Sequence, residues 1–399
     1  MLYCTKRTKG DNRMNAIERY VERILAHSTP EAPLWNIEKI KQGNINGWNY
    51  IDGCMMNALL NLYHITGNDR YYTFFERYID HYVFEDGSLR GYSEEDYNLD
   101  HICEGRVLFD AYRMSGKEKY RRAIDTLYGQ ILRQPRTHEG SFWHKKIYPN
   151  QVWLDGLYMA QVFYTRYTTE MADCAGYEDI HNQFKTVRQR MFDEETKLYR
   201  HGYDASKSAF WADAETGCSR NPWLRSLGWF SAALIDVTAE IAPGHESFLA
   251  DMTALAKEQA ANLLPYIDQE TGMLWQVPNQ IGREGNYPET SGSAMVAYFY
   301  LKGARLGILD AAYAQVGADI FMAICKRYLS VTDGALNLGG ICLVAGLGPE
   351  NNRRRDGSYE YYISEPIVEN DAKGLAPFLL CYTELLMAGK GDLVDALQL

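Results

Sequence analysis

Six short apolar segments, spread along most of the chain, constrain its fold more than any other feature. Each begins with a polar or aromatic residue and a small or acidic one, then continues as a run rich in Ala, Leu and Tyr. Because they are apolar on nearly all sides, they are typical of buried helices. The segments are 48–60, 98–109, 153–160, 223–234, 289–297 and 370–380.

Charge-rich amphipathic segments alternate with these apolar ones. In segment 117–134 the apolar residues Tyr120, Ile124, Leu127 and Ile131 recur at spacings of three and four, as a helix with one buried face requires. The amphipathic segments are 14–27, 70–83, 117–134, 177–191, 246–267 and 311–328. Alternation of this kind predicts an inner ring of helices wrapped by an outer ring.

The pattern therefore predicts an all-α fold, an (α/α)6 barrel of six inner and six outer helices. No Pro-, Gly- or Ser-rich linker divides the chain, so we expect one domain over residues 1–399, with residues 1–13 as a flexible N-terminal extension. The alternative is an open α-solenoid. Solenoid repeats are usually shorter and more uniform than these, and would not gather Trp and carboxylate side chains at the same end of every inner helix.

Composition excludes several classes of function. The 41 Lys and Arg residues are outnumbered by 52 Asp and Glu, which argues against nucleic acid or an anionic membrane as a partner. No apolar run is long enough to cross a membrane, and no secretory signal is visible. The eight cysteines are scattered without a CxxC pair, which favours reduced thiols, a cytoplasmic location and no structural metal. Nucleotide, metalloprotease and serine-hydrolase motifs are absent, so no cofactor is expected. We expect a monomer or a weak homodimer.

Asp100 and Asp155 occupy equivalent places at the starts of successive inner segments. If adjacent inner helices begin at one mouth of the barrel, these carboxylates face each other there. Two close carboxylates do not both ionise easily, so one keeps a proton and can act as a general acid. The alternative is that each Asp is simply the N-cap of its helix.

Two further polar residues are candidates for substrate contact. His201 lies in a predicted loop rich in Gly, Tyr and Asp, where it either lines a pocket or is exposed to solvent. Arg225 lies between Trp223 and Trp229 at the start of an inner segment. Such an Arg either binds a ligand carboxylate through two parallel hydrogen bonds or forms an internal salt bridge.

Aromatic residues cluster at the starts of the inner segments. Their faces suit the apolar faces of sugar rings, although core packing is the alternative for several of them. They are Trp48, Tyr50, Trp143, Trp153, Trp211, Trp223 and Trp229. The arginine run 353–355 is predicted to be a solvated turn. Together these residues indicate a carbohydrate-active barrel that uses acid and base carboxylates.

Five motifs in this order resemble glycoside hydrolase family 105, the unsaturated rhamnogalacturonyl hydrolases, which are relatives of the unsaturated glucuronyl hydrolases. The resemblance covers roughly residues 45–390, and that family has an (α/α)6 barrel. The motifs are YPNQVWLDGLYM (148–159), WADAETGCS (211–219), WLRSLGW (223–229), ETSGSA (289–294) and NDAKG (370–374).

The resemblance implies hydration of a vinyl ether in an oligosaccharide made by a polysaccharide lyase. A general acid protonates C4 of the unsaturated uronate, water adds at C5, and the hemiketal opens to release the aglycone. By this resemblance Asp155 is the general acid and then the base, a role that needs a pKa near neutrality. Asp100 orients the sugar hydroxyls and supports Asp155.

The resemblance also implies which residues bind the substrate. They are Trp48, Tyr50, His144, Trp153, His201, Trp223, Arg225 and Trp229. Family members usually have Gly between the Trp and Arg of the fourth inner helix, and here Leu224 stands in that place, where it could tilt Arg225 or narrow the pocket. The expected substrate comes from lyase-digested pectin, with rhamnose as the aglycone.

Four other functions stay open at this point. They are an unsaturated glucuronyl hydrolase that acts on another polysaccharide, an inverting glycosidase of saturated oligosaccharides, a sugar epimerase that relies on central histidines, and a catalytically inactive sugar-binding protein. The presence of both aspartates argues against the last.

Overall fold

The structure is a computed structural model that describes residues 14–395, so the predicted extension at residues 1–13 lies outside the described part. Its helices, in chain order, are α1 (Ala16–Ala26), α2 (Ile37–Gln42), α3 (Tyr50–Thr66), α4 (Asp69–Tyr82), α5 (Leu99–Gly105), α6 (Leu108–Ser115), α7 (Glu118–Arg133), α8 (Val162–Met171), α9 (Tyr177–Met191), α10 (Leu224–Glu240), α11 (Glu246–Leu263), α12 (Thr290–Arg305), α13 (Tyr313–Tyr328), α14 (Tyr359–Ile363), α15 (Ala372–Met387) and α16 (Asp392–Asp395). A π-helical turn, Leu157–Gln161, leads into α8.

The inner helices form a closed ring. In order around it stand α3, then α5 continued by α6, the π-helical turn continued by α8, then α10, α12 and α15. Each contacts the next, and α15 contacts α3, so the ring has no free end. Helices α4, α7, α9, α11 and α13 pack outside it, together with α1. The six inner and six outer helices are confirmed, and ring closure excludes the open solenoid.

Two glycines let inner helices meet backbone to backbone near the mouth. A Cβ placed on Gly53 of α3 would lie 2.5 Å from the Cα of Glu104 in α5. A Cβ on Gly292 of α12 would lie 2.9 Å from the carbonyl oxygen of Leu224 in α10. Contacts under 3 Å are closer than carbon atoms tolerate, so a side chain at either position would push the two helices apart.

The polar residues that begin the inner segments cap the helices. Their side chains accept hydrogen bonds from backbone N–H groups of the first turn, which satisfies donors that have no partner inside a helix. The caps are Asn49, Asn98, Glu289 and Asp371, which bond to the N–H groups of Asp52, Asp100, Gly292 and Lys373. All of them lie at one mouth, so the partly positive helix ends converge there.

Short antiparallel strand pairs shape the loops at this mouth. Strand β1 (Gln151–Trp153) pairs with β2 (Gly202–Asp204), so Trp153 lies opposite Gly202. The other pairs are β3 (Leu329–Thr332) with β4 (Ala335–Leu338), and β5 (Ile341–Cys342) with β6 (Ile367–Val368). Three 3-10 turns complete the described elements: Glu94–Asp96, Leu264–Tyr266 and Pro278–Gln280. None of the helices between residues 14 and 395 has the length and apolar character that crossing a bilayer demands.

Candidate active site

A cavity of about 310 Å³ opens where the N-terminal ends of the inner helices converge. Eight of the ten residues predicted for the site line it, and His201 and Trp48 do not. The eight are Tyr50, Asp100, His144, Trp153, Asp155, Trp223, Arg225 and Trp229. The structure therefore brings both predicted carboxylates into a single cavity.

Asp100 carries a compensated negative charge. It is not the helix cap, because Asn98 fills that position, and its carboxylate turns towards Lys145 and His144 instead. Its Oδ2 lies 2.6 Å from the Lys145 Nζ, and its Oδ1 lies 3.4 Å from the His144 Nε2. Burial is the largest single influence and raises the pKa of Asp100, but the charge and hydrogen bond of Lys145, with the neighbouring His144 and His101, together outweigh it and lower that pKa below its ordinary value. Asp100 is therefore ionised at neutral pH.

His144 is a neutral imidazole that lies between Trp153 and Asp100. It is almost fully buried, and burial lowers its pKa to about 4 against the opposing pull of Asp100. Its ring stacks on Trp153, with centroids 4.5 Å apart and planes at 13°. It therefore packs as an aromatic surface on one side and faces Asp100 on the other.

Asp155 lies two residues after the end of β1, where the chain turns into the third inner helix, the π-helical turn continued by α8. Its Oδ2 is 3.4 Å from the Nε2 of His201, and neither atom has a hydrogen-bond partner within the described residues. On the far side of the imidazole, Nδ1 lies 2.7 Å from the Tyr362 hydroxyl. The pairing of β1 with β2 fixes this arrangement, since the Leu154 N–H donates to the His201 carbonyl.

His201 is placed behind Asp155 and away from the cavity surface. It has no exposed surface, so the structure supports neither the solvated loop residue nor a side chain that lines the pocket. Its ring lies between the rings of Trp223 and Trp153, at centroid distances of 4.8 and 5.6 Å. What His201 contacts is the carboxyl group of Asp155, and its position suits orienting that group.

Of the two interpretations of Arg225, the structure shows the internal salt bridge. The guanidinium is buried, with Nη2 lying 3.6 Å from Glu289 Oε1 and also donating to the Cys342 carbonyl. Its Nε donates to Ser291 Oγ at 2.7 Å, and that hydroxyl donates on to Glu289. Arg225 thus lines the cavity with its charge already paired. The neighbouring Leu224 is fully buried against Gly292 and is not part of the cavity wall.

The aromatic candidates divide into cavity walls and packing residues. Trp229 stacks on Tyr158 at 4.6 Å and meets the edge of Tyr50 at 6.1 Å, which makes a broad apolar wall. Trp48 is buried away from the cavity, and its Nε1–H donates to the His101 carbonyl at 2.7 Å. For Trp48 the core-packing interpretation is the one that the structure shows.

Three cations in the cavity wall were not predicted: Lys39, Lys145 and Arg355. Lys145 follows His144 directly, and pairs with Asp100 as described above. Arg355 belongs to the run predicted as a solvated turn, yet it lines the cavity beside Trp153. No carboxylate in the described part of the chain forms an ion pair with it. Lys145 could have been predicted from the sequence, because it follows the site residue His144. Nothing in the sequence distinguishes Arg355 from the exposed Arg353 and Arg354.

Comparison with known proteins places the chain among glycoside hydrolases. The model for glycosyl hydrolase family 88 matches residues 17–388. A solved family 105 glycoside hydrolase from C. acetobutylicum ATCC 824 is 37% identical, with a TM-score of 0.83, covering 92% of this chain and 99% of that one.

Two more distant relatives have named activities. Unsaturated rhamnogalacturonyl hydrolase YesR of Bacillus subtilis (strain 168) is 24% identical over 265 residues, which is 65% of this chain and 72% of the relative. The unsaturated glucuronyl hydrolase of Bacillus sp. GL1 shares the fold at 14% identity and a TM-score of 0.62, covering 87% and 89% of the two chains. Since the family model spans nearly all of it, the chain belongs to glycosyl hydrolase family 88, and its likeness to a family 105 glycoside hydrolase confirms the resemblance drawn from the sequence.

Proposed function

We propose that this glycoside hydrolase removes a C4=C5 unsaturated uronyl residue from the non-reducing end of oligosaccharides made by a lyase, most simply those of rhamnogalacturonan. The observation that carries the proposal is the pair of unlike carboxyl groups in one cavity. Asp100 is ionised beside Lys145, while Asp155 has an oxygen that faces only a buried imidazole. The named activity of the YesR relative supports the choice of substrate.

In this proposal Asp155 transfers a proton to C4 of the vinyl ether, and positive charge develops at C5. Water then attacks C5 while the Asp155 carboxylate accepts one of its protons, so the enzyme is restored. The resulting hemiketal opens at its C5–O5 bond to give a C5 ketone and a C1 hemiacetal. The bond from C1 to the aglycone oxygen then breaks, that oxygen takes the hemiacetal hydroxyl proton, and C1 is left as an aldehyde. Asp100 accepts hydrogen bonds from sugar hydroxyls and holds the ring above Asp155.

The uronate carboxylate needs a cation, and we favour Arg355 over Lys39, which also lines the cavity, because Arg355 lies beside Trp153. Arg225 is already paired with Glu289, and Lys145 with Asp100, so neither has an uncommitted charge. Arg355 lines the same cavity beside Trp153 and has no paired carboxylate within residues 14–395. A planar guanidinium binds a carboxylate through two parallel hydrogen bonds.

His201 acts in this scheme as a positioning residue. When the Tyr362 hydroxyl donates to Nδ1, the ring N–H of His201 is the one at Nε2, which faces Asp155. That contact holds one carboxyl oxygen and directs the other into the cavity. The seven described cysteines are free thiols, which supports our further proposal that the enzyme works in the reducing cytoplasm.

An inverting glycosidase on saturated sugars is less well supported. Such an enzyme needs its second carboxylate as a general base that activates water. Asp100 is held as a weak base by Lys145, which lowers its pKa. An unsaturated glucuronyl hydrolase uses the same chemistry on another sugar, and it is distinguished by substrate alone.

The test is an absorbance assay with lyase-digested rhamnogalacturonan, in which loss of the conjugated enol is followed in the ultraviolet. We expect the absorbance to fall with the wild type, and Asp155→Asn to slow that fall by about 100- to 10,000-fold. Asp319→Asn, at an exposed position on α13, is the matched control and should retain full activity.

Three outcomes would count against parts of this proposal. Constant absorbance together with cleavage of saturated oligosaccharides would replace it with the glycosidase alternative. Activity confined to unsaturated glucuronyl substrates would retain the chemistry and correct the polysaccharide. Full activity in Asp155→Asn would remove Asp155 from the mechanism.

A further inference from the structure

A second cavity, of about 450 Å³, lies at the opposite end of the barrel. Its walls come from the C-terminal parts of inner helices, including Asn61 of α3, Asp236 and Ala239 of α10, and Lys302 of α12. The candidate active site lies instead at the N-terminal ends of these helices, so the two cavities occupy opposite ends of the same ring. Nothing in the proposed hydrolysis uses this second cavity.

Arg106, between α5 and α6, points a buried guanidinium into this second cavity. The residue is only 4% exposed. Within residues 14–395, no acceptor forms a hydrogen bond with its Nε, Nη1 or Nη2. A guanidinium carries five N–H donors, and buried donors without acceptors cost stability, so this arrangement calls for a partner.

The nearest carboxylate does not fill that need. Asp236 Oδ2 lies 3.8 Å from Arg106 Nη1, which is beyond hydrogen-bond distance. Asp236 Oδ1 already accepts from the Tyr298 hydroxyl and from Lys302 Nζ, each at 2.7 Å. Asp236 therefore offsets part of the charge while the donors of Arg106 stay open.

Other cations of this cavity form ion pairs with acidic side chains. Arg166 forms hydrogen bonds with Asp110 and Glu170, and Arg113 contacts the same two carboxylates. Burial raises the pKa of Glu240, another wall residue. Arg106 is thus the cation in this wall with donors to spare.

Arg106 is also isolated from the active site by aromatic rings. Its guanidinium carbon lies 4.6 Å above the centre of the Tyr158 ring. The ring of Tyr158 also stacks on Trp229, which lines the active-site cavity. A ligand on Arg106 would therefore bind without touching the reacting carboxylates.

We propose that this second cavity is a binding site for a small oxyanion, a compound bearing a carboxylate or a phosphate group, which Arg106 holds through two parallel hydrogen bonds. Both groups have the planar or tetrahedral oxygen pairs that the guanidinium fork matches. Asn61 lies in the same wall and suits a remaining oxygen of such a compound. The site stands independently of the hydrolytic function proposed above.

The test is calorimetric titration of the protein with inorganic phosphate and, separately, with malonate at constant ionic strength. We expect one anion to bind per chain, and the preferred anion tells a phosphate compound from a carboxylate. Arg106→Met should weaken that binding by about 10- to 100-fold. Ala239→Trp should do the same by filling the cavity while Arg106 stays in place, so a folding defect in the first variant does not decide the test.

Arg355→Met provides the matched control for binding at the active-site mouth, where an uncommitted cation is also present. Binding that persists in this variant and is lost in both far-cavity variants supports the proposal. Binding that disappears only in Arg355→Met assigns the anion to the active site and overturns it. Absence of binding by either anion to the wild type overturns it as well.

Discussion

His144 lies flat against the indole of Trp153, at 4.5 Å between ring centroids, while its Nε2 faces Asp100 at 3.4 Å. Trp153 is only two residues before Asp155, so this stack joins the two carboxyl groups of the site into one packed unit. Tyr148 also stacks on Trp153, at 4.6 Å, which fixes the indole further. Substitutions in this unit should therefore change the positions of both aspartates.

The first prediction concerns acid stability. Burial lowers the pKa of His144 from 6.5 to about 4, so between these values the unfolded chain binds a proton that the folded chain does not. This residue's contribution to the free energy of unfolding is full above pH 6.5 and falls by about 3 kcal/mol as the pH decreases to 4. Urea unfolding measured at several pH values should show a flatter acid dependence for His144→Gln.

The matched control for this experiment is His138→Gln, because His138 is exposed. It should retain the steep acid dependence of the wild type. Parallel curves for wild type and His144→Gln would show that the buried imidazole does not set the dependence.

The second prediction concerns the charge on Asp100. Lys145→Met removes an ammonium that lowers the pKa of Asp100, so that pKa should rise, because burial then meets less opposition. We expect kcat/KM at pH 7 to decrease by about 10-fold, since a charged hydrogen bond contributes roughly 1.5 to 3 kcal/mol. The acid limb of the pH profile should move to higher pH. Lys146→Met, at the exposed neighbouring position, should behave like the wild type, and an unmoved acid limb in Lys145→Met would argue against this coupling.

The third prediction concerns the positioning of His201. Tyr362→Phe removes the hydroxyl that contacts Nδ1 at 2.7 Å and leaves the ring stack on Trp223. Because one neutral hydrogen bond contributes about 1 kcal/mol, kcat should decrease by roughly 5- to 10-fold with little change in KM.

Tyr359→Phe is the control from the same helix, α14, since its hydroxyl bonds to loop carbonyls at Arg283 and Glu284. It should leave kcat unchanged. A rise in KM with constant kcat in Tyr362→Phe would instead indicate that this hydroxyl serves substrate binding.

The fourth prediction concerns the close approach of α3 and α5. Gly53→Ala places a methyl group 2.5 Å from the Glu104 backbone, and the strain should destabilise the protein by about 1 to 3 kcal/mol. Gly47→Ala, where a methyl group meets nothing within 4 Å, should change the unfolding free energy little. Equal denaturation midpoints for the two variants would mean that the helices can separate without cost.

The sequence predicts the barrel well because its hydrophobic pattern is local. Each inner helix carries its own apolar run, so a segment such as 223–234 can be recognised as a buried helix from its own residues alone. Asp100 and Asp155 could be assigned to one mouth because both begin equivalent helices. Asn98, rather than Asp100, turned out to cap its helix, because the extended residue before the first turn is the one that can reach the free N–H groups.

Side-chain environments depended on contacts that the local pattern does not contain. The burial of His201 follows from strand pairing with residues about fifty positions earlier in the chain. Trp48 and Tyr50 are two residues apart, yet only Tyr50 faces the cavity, because the helix begins between them and turns their side chains apart. Arg355 reaches the cavity by a long loop whose path no periodicity predicts.

The column of Trp229, Tyr158 and Arg106 gives the barrel a partition across its axis. On one side the indole is an apolar wall for sugar, and on the other the guanidinium is a polar floor. A single phenol ring thus packs against both the indole that lines one cavity and the guanidinium that lines the other. Replacing Tyr158 with a smaller residue would take away this shared wall, and with it the physical separation of sugar chemistry at one end of the barrel from the buried cation at the other.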